Sequence, residues 1–112
     1  MGAVELSTLE EFVLLAIPRL GDAAYGMRIR QEIEDRGGRE VSIAAVYAAL
    51  TRLTDRGFVD SWTTEPRAER GGRARRHYRL LPAGTAALWE SRDQSERMWD
   101  GLDGHPELER GR

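Results

Sequence analysis

The chain has 112 residues and no cysteine, which suits a single domain and excludes both a disulfide framework and a thiolate metal site. Its formal net charge of −2 and pI near 5.7 argue, as averages, against a nucleic-acid partner. No apolar run approaches the length of a membrane span, and MGAVELSTLEEF lacks the basic and apolar segments of a signal peptide, so a cytoplasmic protein is expected.

In chain order, Ser7-Thr8-Leu9-Glu10 fits a capping box and opens a first helix. Leu9, Phe12, Val13, Ala16 and Leu20 form one stripe of it, which Leu14, Leu15 and Ile17 widen until the helix is apolar nearly all round. Such a helix is buried on more than one side, and in a domain this small the second side suits another subunit. Leu9, Phe12 and Val13 are therefore candidate dimer contacts. Pro18 predicts an end or kink near Ile17. Gly21–Ala24 reads as a turn, and Tyr25 opens a second helix with Met27, Ile29 and Ile33 inward and Arg28, Arg30, Glu32 and Glu34 outward. Gly37-Gly38 ends it.

The third helix follows Ser42, whose hydroxyl can cap it. Ile43, Val46, Leu50 and Leu53 fall on one face, and Gly57 stops the helix. Ala44, Ala45, Ala48, Thr51 and Arg52 fill the other side, which holds no bulky apolar group. A helix buried on one side and small on the other can lie in a DNA major groove, with residues near its start at the base edges. Tyr47 stands at the edge of the apolar face, where its ring can pack while its hydroxyl reaches a phosphate. Ser42, Ala44, Ala45, Tyr47, Ala48, Thr51 and Arg52 are the candidate contacts, with Tyr25 at the head of the second helix. The bland alternative is a core helix with a solvated side.

Two short β-forming runs, Phe58–Thr64 and His77–Leu81, flank EPRAERGGRARR. Glu65 to Arg79 holds six arginines against Glu65 and Glu69, a local +4, while the acidic bias sits in Glu90 to Arg112 at −3. Two strands joined by an arginine-rich glycine loop, directly after a candidate reading helix, describe a winged helix-turn-helix. Arg70, Gly72, Arg73, Arg75 and Arg76 are candidate contacts for phosphates or the minor groove.

Pro82 suits the first position of a fourth helix. Leu88, Ser91, Ser95, Trp99 and Leu102 share a face of it, with Ala87 and Met98 beside. Leu88, Trp89, Ser95, Met98, Trp99 and Leu102 are candidate dimer contacts, and small serines between bulky ends leave room for a ligand at Trp89, Ser91, Ser95 and Trp99. Plain dimer packing is the competing reading. His77 and His105 lack any partner at ligand spacing, so no metal site is expected, and no cofactor or catalytic constellation is evident.

YGMRIRQEIE, VSIAAVYAALTRLTDRGFV and ERGGRARRHYRLLPAG together resemble the PadR-type transcriptional regulators, from about Leu9 to Leu88. The resemblance implies a homodimeric winged-helix repressor, often one that responds to a small ligand, and short members have a single C-terminal helix packed across the dimer. The family usually has threonine where Leu81 stands. The expectation is a mostly α fold with a two-stranded antiparallel wing. Residues 1–81 form the winged helix-turn-helix, 82–104 the dimerisation helix and 105–112 a disordered tail. Its partners are double-stranded DNA at an inverted repeat, a second copy of the chain and a small aromatic effector, with no membrane. The rival class is a winged helix used as a protein-interaction module, and an enzyme is not expected.

Overall fold

A computed structural model describes residues 5–64 and 75–111. The order is α1 (Thr8–Leu20), α2 (Gly26–Gly37), α3 (Ile43–Asp55), β1 (Val59–Thr63), β2 (Arg76–Leu80) and α4 (Pro82–Trp99). The strands are antiparallel, with Val59 opposite Leu80 and Thr63 opposite Arg76. This is the mostly helical, two-stranded architecture that the sequence predicts.

The capping box at the start of α1 is formed: the Ser7 hydroxyl accepts from the Glu10 N–H at 3.1 Å, and the Glu10 carboxylate accepts from the Ser7 N–H at 2.9 Å. Pro18 does not end the helix at Ile17. Proline withholds one N–H, which would have gone to the Leu14 carbonyl. That single loss falls in the last turn, and α1 continues to Leu20. Gly21, at φ 56°, then closes it by donating to the Ile17 carbonyl.

In α2, Met27 points outward and is half exposed, contrary to the periodic expectation. The inward positions are Gly26, Ile29 and Ile33. Gly26 takes a buried place because the Tyr47 ring lies against it, and a Cβ there would come within 2.5 Å of that ring. The Arg30 Nε donates to the Val41 carbonyl at 2.9 Å, fixing the turn between α2 and α3. The Ser42 hydroxyl caps α3 by accepting from the Ala45 N–H at 3.0 Å.

The core gathers Val13, Leu14, Ala16 and Ile17 of α1, Ile29 and Ile33 of α2, and Val46, Ala49, Leu50 and Leu53 of α3. Val59 and Tyr78 of the strands and Ala87 of α4 close it. Val13, expected at a dimer surface, has no exposed area at all within the single chain. Its side chain belongs to the chain's own core, and Leu15 is the large apolar residue of α1 that projects to solvent.

Leu81 provides no side-chain cap, yet α4 still starts at Pro82. The ring presets the backbone angle of the first helical residue and removes an N–H that would otherwise need a partner. Gly84 is where α4 passes against the residue that leads into β1: any Cβ would collide with the Phe58 carbonyl oxygen. Past α4 the chain forms a 3-10 turn at Pro106–Leu108, where His105 Nδ1 accepts from the Glu107 N–H at 3.1 Å.

One buried carboxylate joins α1 to α3. Glu10 Oε2 accepts from Arg52 Nε at 3.0 Å, and Arg56 Nη1 lies 3.9 Å from Oε1. Burial pushes the Glu10 carboxyl upward, but the Ser7 N–H and Arg52 outweigh it and leave the group below its usual 4.5. A depressed folded value means stability that is present above about pH 4.5 and lost as pH falls through the folded value. Glu10→Gln should therefore destabilise the domain by about 2 kcal/mol at neutral pH. Urea titrations across the acid range should show that the variant lacks this part of the acid-side decline. Gly84→Ala should destabilise by about 2–3 kcal/mol through overpacking, read in the same titrations.

Candidate nucleic-acid interface

The stripe of α3 opposite its buried face is set by helical spacing alone. Ala44, Ala48 and Thr51 recur at four and three residues and are exposed, and Tyr47 lies between them at 45 % exposure. Ser42 stands exposed at the N-terminal end of the stripe, its hydroxyl oxygen occupied by the cap and its proton free to donate. The Thr51 hydroxyl donates to the Tyr47 carbonyl at 3.0 Å, which leaves its methyl and oxygen outward. Asp55 continues the stripe at its C-terminal end. A carboxylate repels phosphate, so the usable surface is the first three turns.

Ala45, Arg52 and Arg56 lie on one flank of α3, seven and four residues apart. That flank faces the start of α1, and Glu10 holds Arg52 by its Nε. The Arg52 side chain remains 52 % exposed, so its terminal nitrogens stay open to water.

The other candidates converge from α2 and β2. Tyr25 is the residue before α2, and its backbone pairs with His77 as a bridge on the outer edge of β2. The Tyr78 N–H donates to the Ala24 carbonyl at 2.9 Å, so β2 is clamped between β1 and the head of α2. Arg75 lies with its guanidinium 4.4 Å from the Tyr25 ring centre. Arg76 donates from Nη1 to the Ser61 hydroxyl at 2.9 Å. Arg70, Gly72 and Arg73 fall outside the described residues. Tyr47 against Gly26, and Tyr25 against Arg75, make the α3 stripe, the head of α2 and the base of the wing one continuous surface.

Sequence reasoning missed three residues of this arrangement. Gly26 seats Tyr47, and the only hint was a glycine at the second position of YGMRIRQEIE. Trp62 and His77 stack across the two strands with centres 5.5 Å apart, a pairing that needs the register to be known.

Of the candidate dimer contacts, Trp89, Met98 and Trp99 are strongly exposed, while Leu9, Phe12, Leu88 and Leu102 are half-buried and Ser95 is exposed. Trp89 and Ser95 line an open groove of about 430 Å³ between α1 and α4, together with Glu11, Leu15, Leu88 and Arg92. Trp99 borders a different hollow with Asp93, Asp100 and Asp103, and Ser91 borders neither. A single chain thus does not bring the four candidate ligand residues together. Among the described residues no cluster of His, Asp and Glu could hold a metal ion, and no helix is long and apolar enough to cross a membrane.

Residues 13–90 match the transcriptional regulator PadR-like family. No curated protein matches the chain in sequence. Among solved structures, a PadR family transcription regulator from hypervirulent Clostridium difficile superposes with a TM-score of 0.71 at 16% identity, covering 88% of this chain and 97% of that one. A PadR-like transcription factor from Bacteroides fragilis gives 0.70 at 22% identity, with 86% and 87% covered. A PadR family transcriptional regulator from Eggerthella lenta gives 0.66 at 24% identity, with 87% and 82% covered. At these identities the likeness is one of fold.

Gly26→Ala should test the seating of Tyr47 directly. The added methyl displaces the phenol ring from the head of α2, which can swing because it is half exposed. Affinity for duplex DNA should fall several-fold while unfolding free energy changes by no more than about 1 kcal/mol, as a displaced surface side chain allows.

Proposed function

The chain belongs to the transcriptional regulator PadR-like family, and on that premise we propose that it is a homodimeric repressor of an inverted-repeat operator. The observation that carries the reading is the continuous surface from the α3 stripe through Tyr47 and Tyr25 to Arg75. Small side chains at Ala44, Ala45 and Ala48 let the helix backbone approach the groove floor. They read thymine methyl groups and groove shape rather than forming many base hydrogen bonds. Ser42, Tyr47 and Thr51 supply hydroxyls at the edges of that footprint, and Arg52 reaches phosphate from the flank. Arg75 and Arg76, with Arg70, Gly72 and Arg73 of the loop, hold the neighbouring backbone.

Dimerisation supplies the second reading helix. The exposed Leu15 of α1 and Trp89, Met98 and Trp99 of α4 form the apolar surface for it. A two-fold pair sets two α3 helices in successive major grooves, about 34 Å apart. In this reading a small aromatic effector occupies the groove between α1 and α4, where Trp89 offers a flat ring and Leu15 an apolar wall. By changing the packing of α4 between subunits it alters the spacing of the two reading helices and releases the operator.

The protein should elute at about twice its chain mass of 12.6 kDa. It should also retard a duplex taken from upstream of its own gene, with log affinity falling against log salt at about −0.9 per neutralised phosphate. Arg73→Ala with Arg75→Ala should flatten that slope by about 2 for each subunit. A monomer, or a dimer indifferent to duplex at every salt concentration, would replace this reading with a protein-interaction module.

A further inference from the structure

Residues two apart on a strand project to the same face, so Arg75, His77 and Arg79 stand together on the outer face of β2, while Tyr78 and Leu80 turn to the core. On that outer face the side chains form an unbroken row. The Arg75 guanidinium lies 4.4 Å from the Tyr25 ring centre. Tyr25 meets His77 edge to face, with centres 5.6 Å apart and planes at 73°. His77 stacks on its cross-strand partner Trp62, at 5.5 Å and 18°. Arg79 ends the row, 6.0 Å from the Trp62 ring and held to Asp60 by two hydrogen bonds of 3.0 and 2.7 Å.

His77 is the middle of this row. Its Nδ1 is buried and has no hydrogen-bond partner among the described residues. What it contributes is a flat, stiff ring filling the space between Tyr25 and Trp62. Tyr25 is the surface on which Arg75 lies, so whatever holds Tyr25 upright also decides where the arginine points. A long side chain left free loses rotamer freedom when it grips a phosphate, and one ordered beforehand binds without that loss.

We propose that His77 is a positioning residue for DNA binding: wedged between Tyr25 and Trp62, its ring keeps Tyr25 as the platform that aims the Arg75 guanidinium at the duplex. The inference rests on the DNA-binding reading above and names the part of the wing base that makes Arg75 effective.

Two measurements on the full chain test it. The first needs no DNA: the Arg75 side-chain N–H resonance, assigned by its disappearance in Arg75→Ala. In the unsubstituted protein it should be displaced upfield by the Tyr25 ring. His77→Ala should return it to the position of a free arginine, and His77→Phe, which keeps a flat ring, should restore the displacement. The second is affinity for the upstream duplex as a function of salt. His77→Ala and Arg75→Ala should each weaken binding roughly fivefold and reduce the salt slope by about 1 per subunit. The double variant should bind no worse than either single one, and His77→Phe should recover most of the loss.

An Arg75 resonance already at the free position in the unsubstituted protein would overturn the proposal. So would additive losses in the double variant, or a His77→Phe variant as weak as His77→Ala. If His77→Ala does not fold, Trp62→Leu, which removes the outer support from a half-exposed site, must shift the Arg75 resonance in the same way or the proposal fails. An unsubstituted protein that ignores duplex at every salt concentration defeats the DNA-binding reading, whereas a free Arg75 in a protein that does bind defeats only the role of His77.

Discussion

Val46, Ala49, Leu50 and Leu53 of α3 are shut off from solvent completely, packed against α1 and α2. At 13 residues α3 is too short to be stable alone in water, so its exposed stripe exists as a helical surface only because the other side is sealed. Each of the larger side chains contributes about 1.5–3 kcal/mol by leaving water. The seal also fixes rotation: once those four residues are inside, Ala44, Tyr47, Ala48 and Thr51 have no direction left but outward. The Glu10 carboxylate adds a polar tie on the α1 side, gripping Arg52 while it caps the helix it belongs to.

The wing base depends on that same seat at one remove. Tyr47 leaves α3 and lies against Gly26, which places the head of α2 beside the reading stripe. The backbone bridge from Tyr25 to His77 then fastens β2 to that head. A ribbon of two strands alone could twist freely. Here β2 has a further edge contact with the residue before α2, and Arg75 at its start has an aromatic surface to lie on. The average acidity of the chain is thereby irrelevant to this face, because its charge is set locally by β2 and the acids of α4 lie elsewhere.

The remaining surface has a different character. Trp89 and Trp99 are each 57 % exposed, Met98 of α4 is exposed as well, and so is Leu15 of α1, which shares a groove with Trp89. Large apolar groups concentrated on two neighbouring helices, rather than scattered singly, mark a surface made for contact. The proposed assembly has the chain fold its reading element from its own core and use what is left of α1 and α4 for a second copy.

Much of this was legible in the residues. The four helices and two strands as elements, the strand ends within a residue, the capped starts of α1 and α3 and the outward alanine stripe follow from local rules: periodicity, hydroxyl caps, glycine stops. Two helix ends do not: α1 runs on to Leu20 past the end expected near Ile17, and α4 stops at Trp99, short of residue 104 and of Leu102. Those rules fail where a distant part of the chain decides. Met27 fits an apolar period yet faces water, while the inward place beside it goes to Gly26, against which the Tyr47 ring lies. Val13, expected as a dimer contact, is instead part of the chain's own core, since α1 packs against α2, α3, β2 and α4 at once. Arg52 reads as a free cation until Glu10, 42 residues earlier, is brought against it. Local chemistry, carried by neighbours within a turn or a strand, was therefore determined by the sequence itself. Which faces were covered, which charges were paired and which rings met across strands required the packing of elements far apart in the chain, and tertiary structure alone decided them.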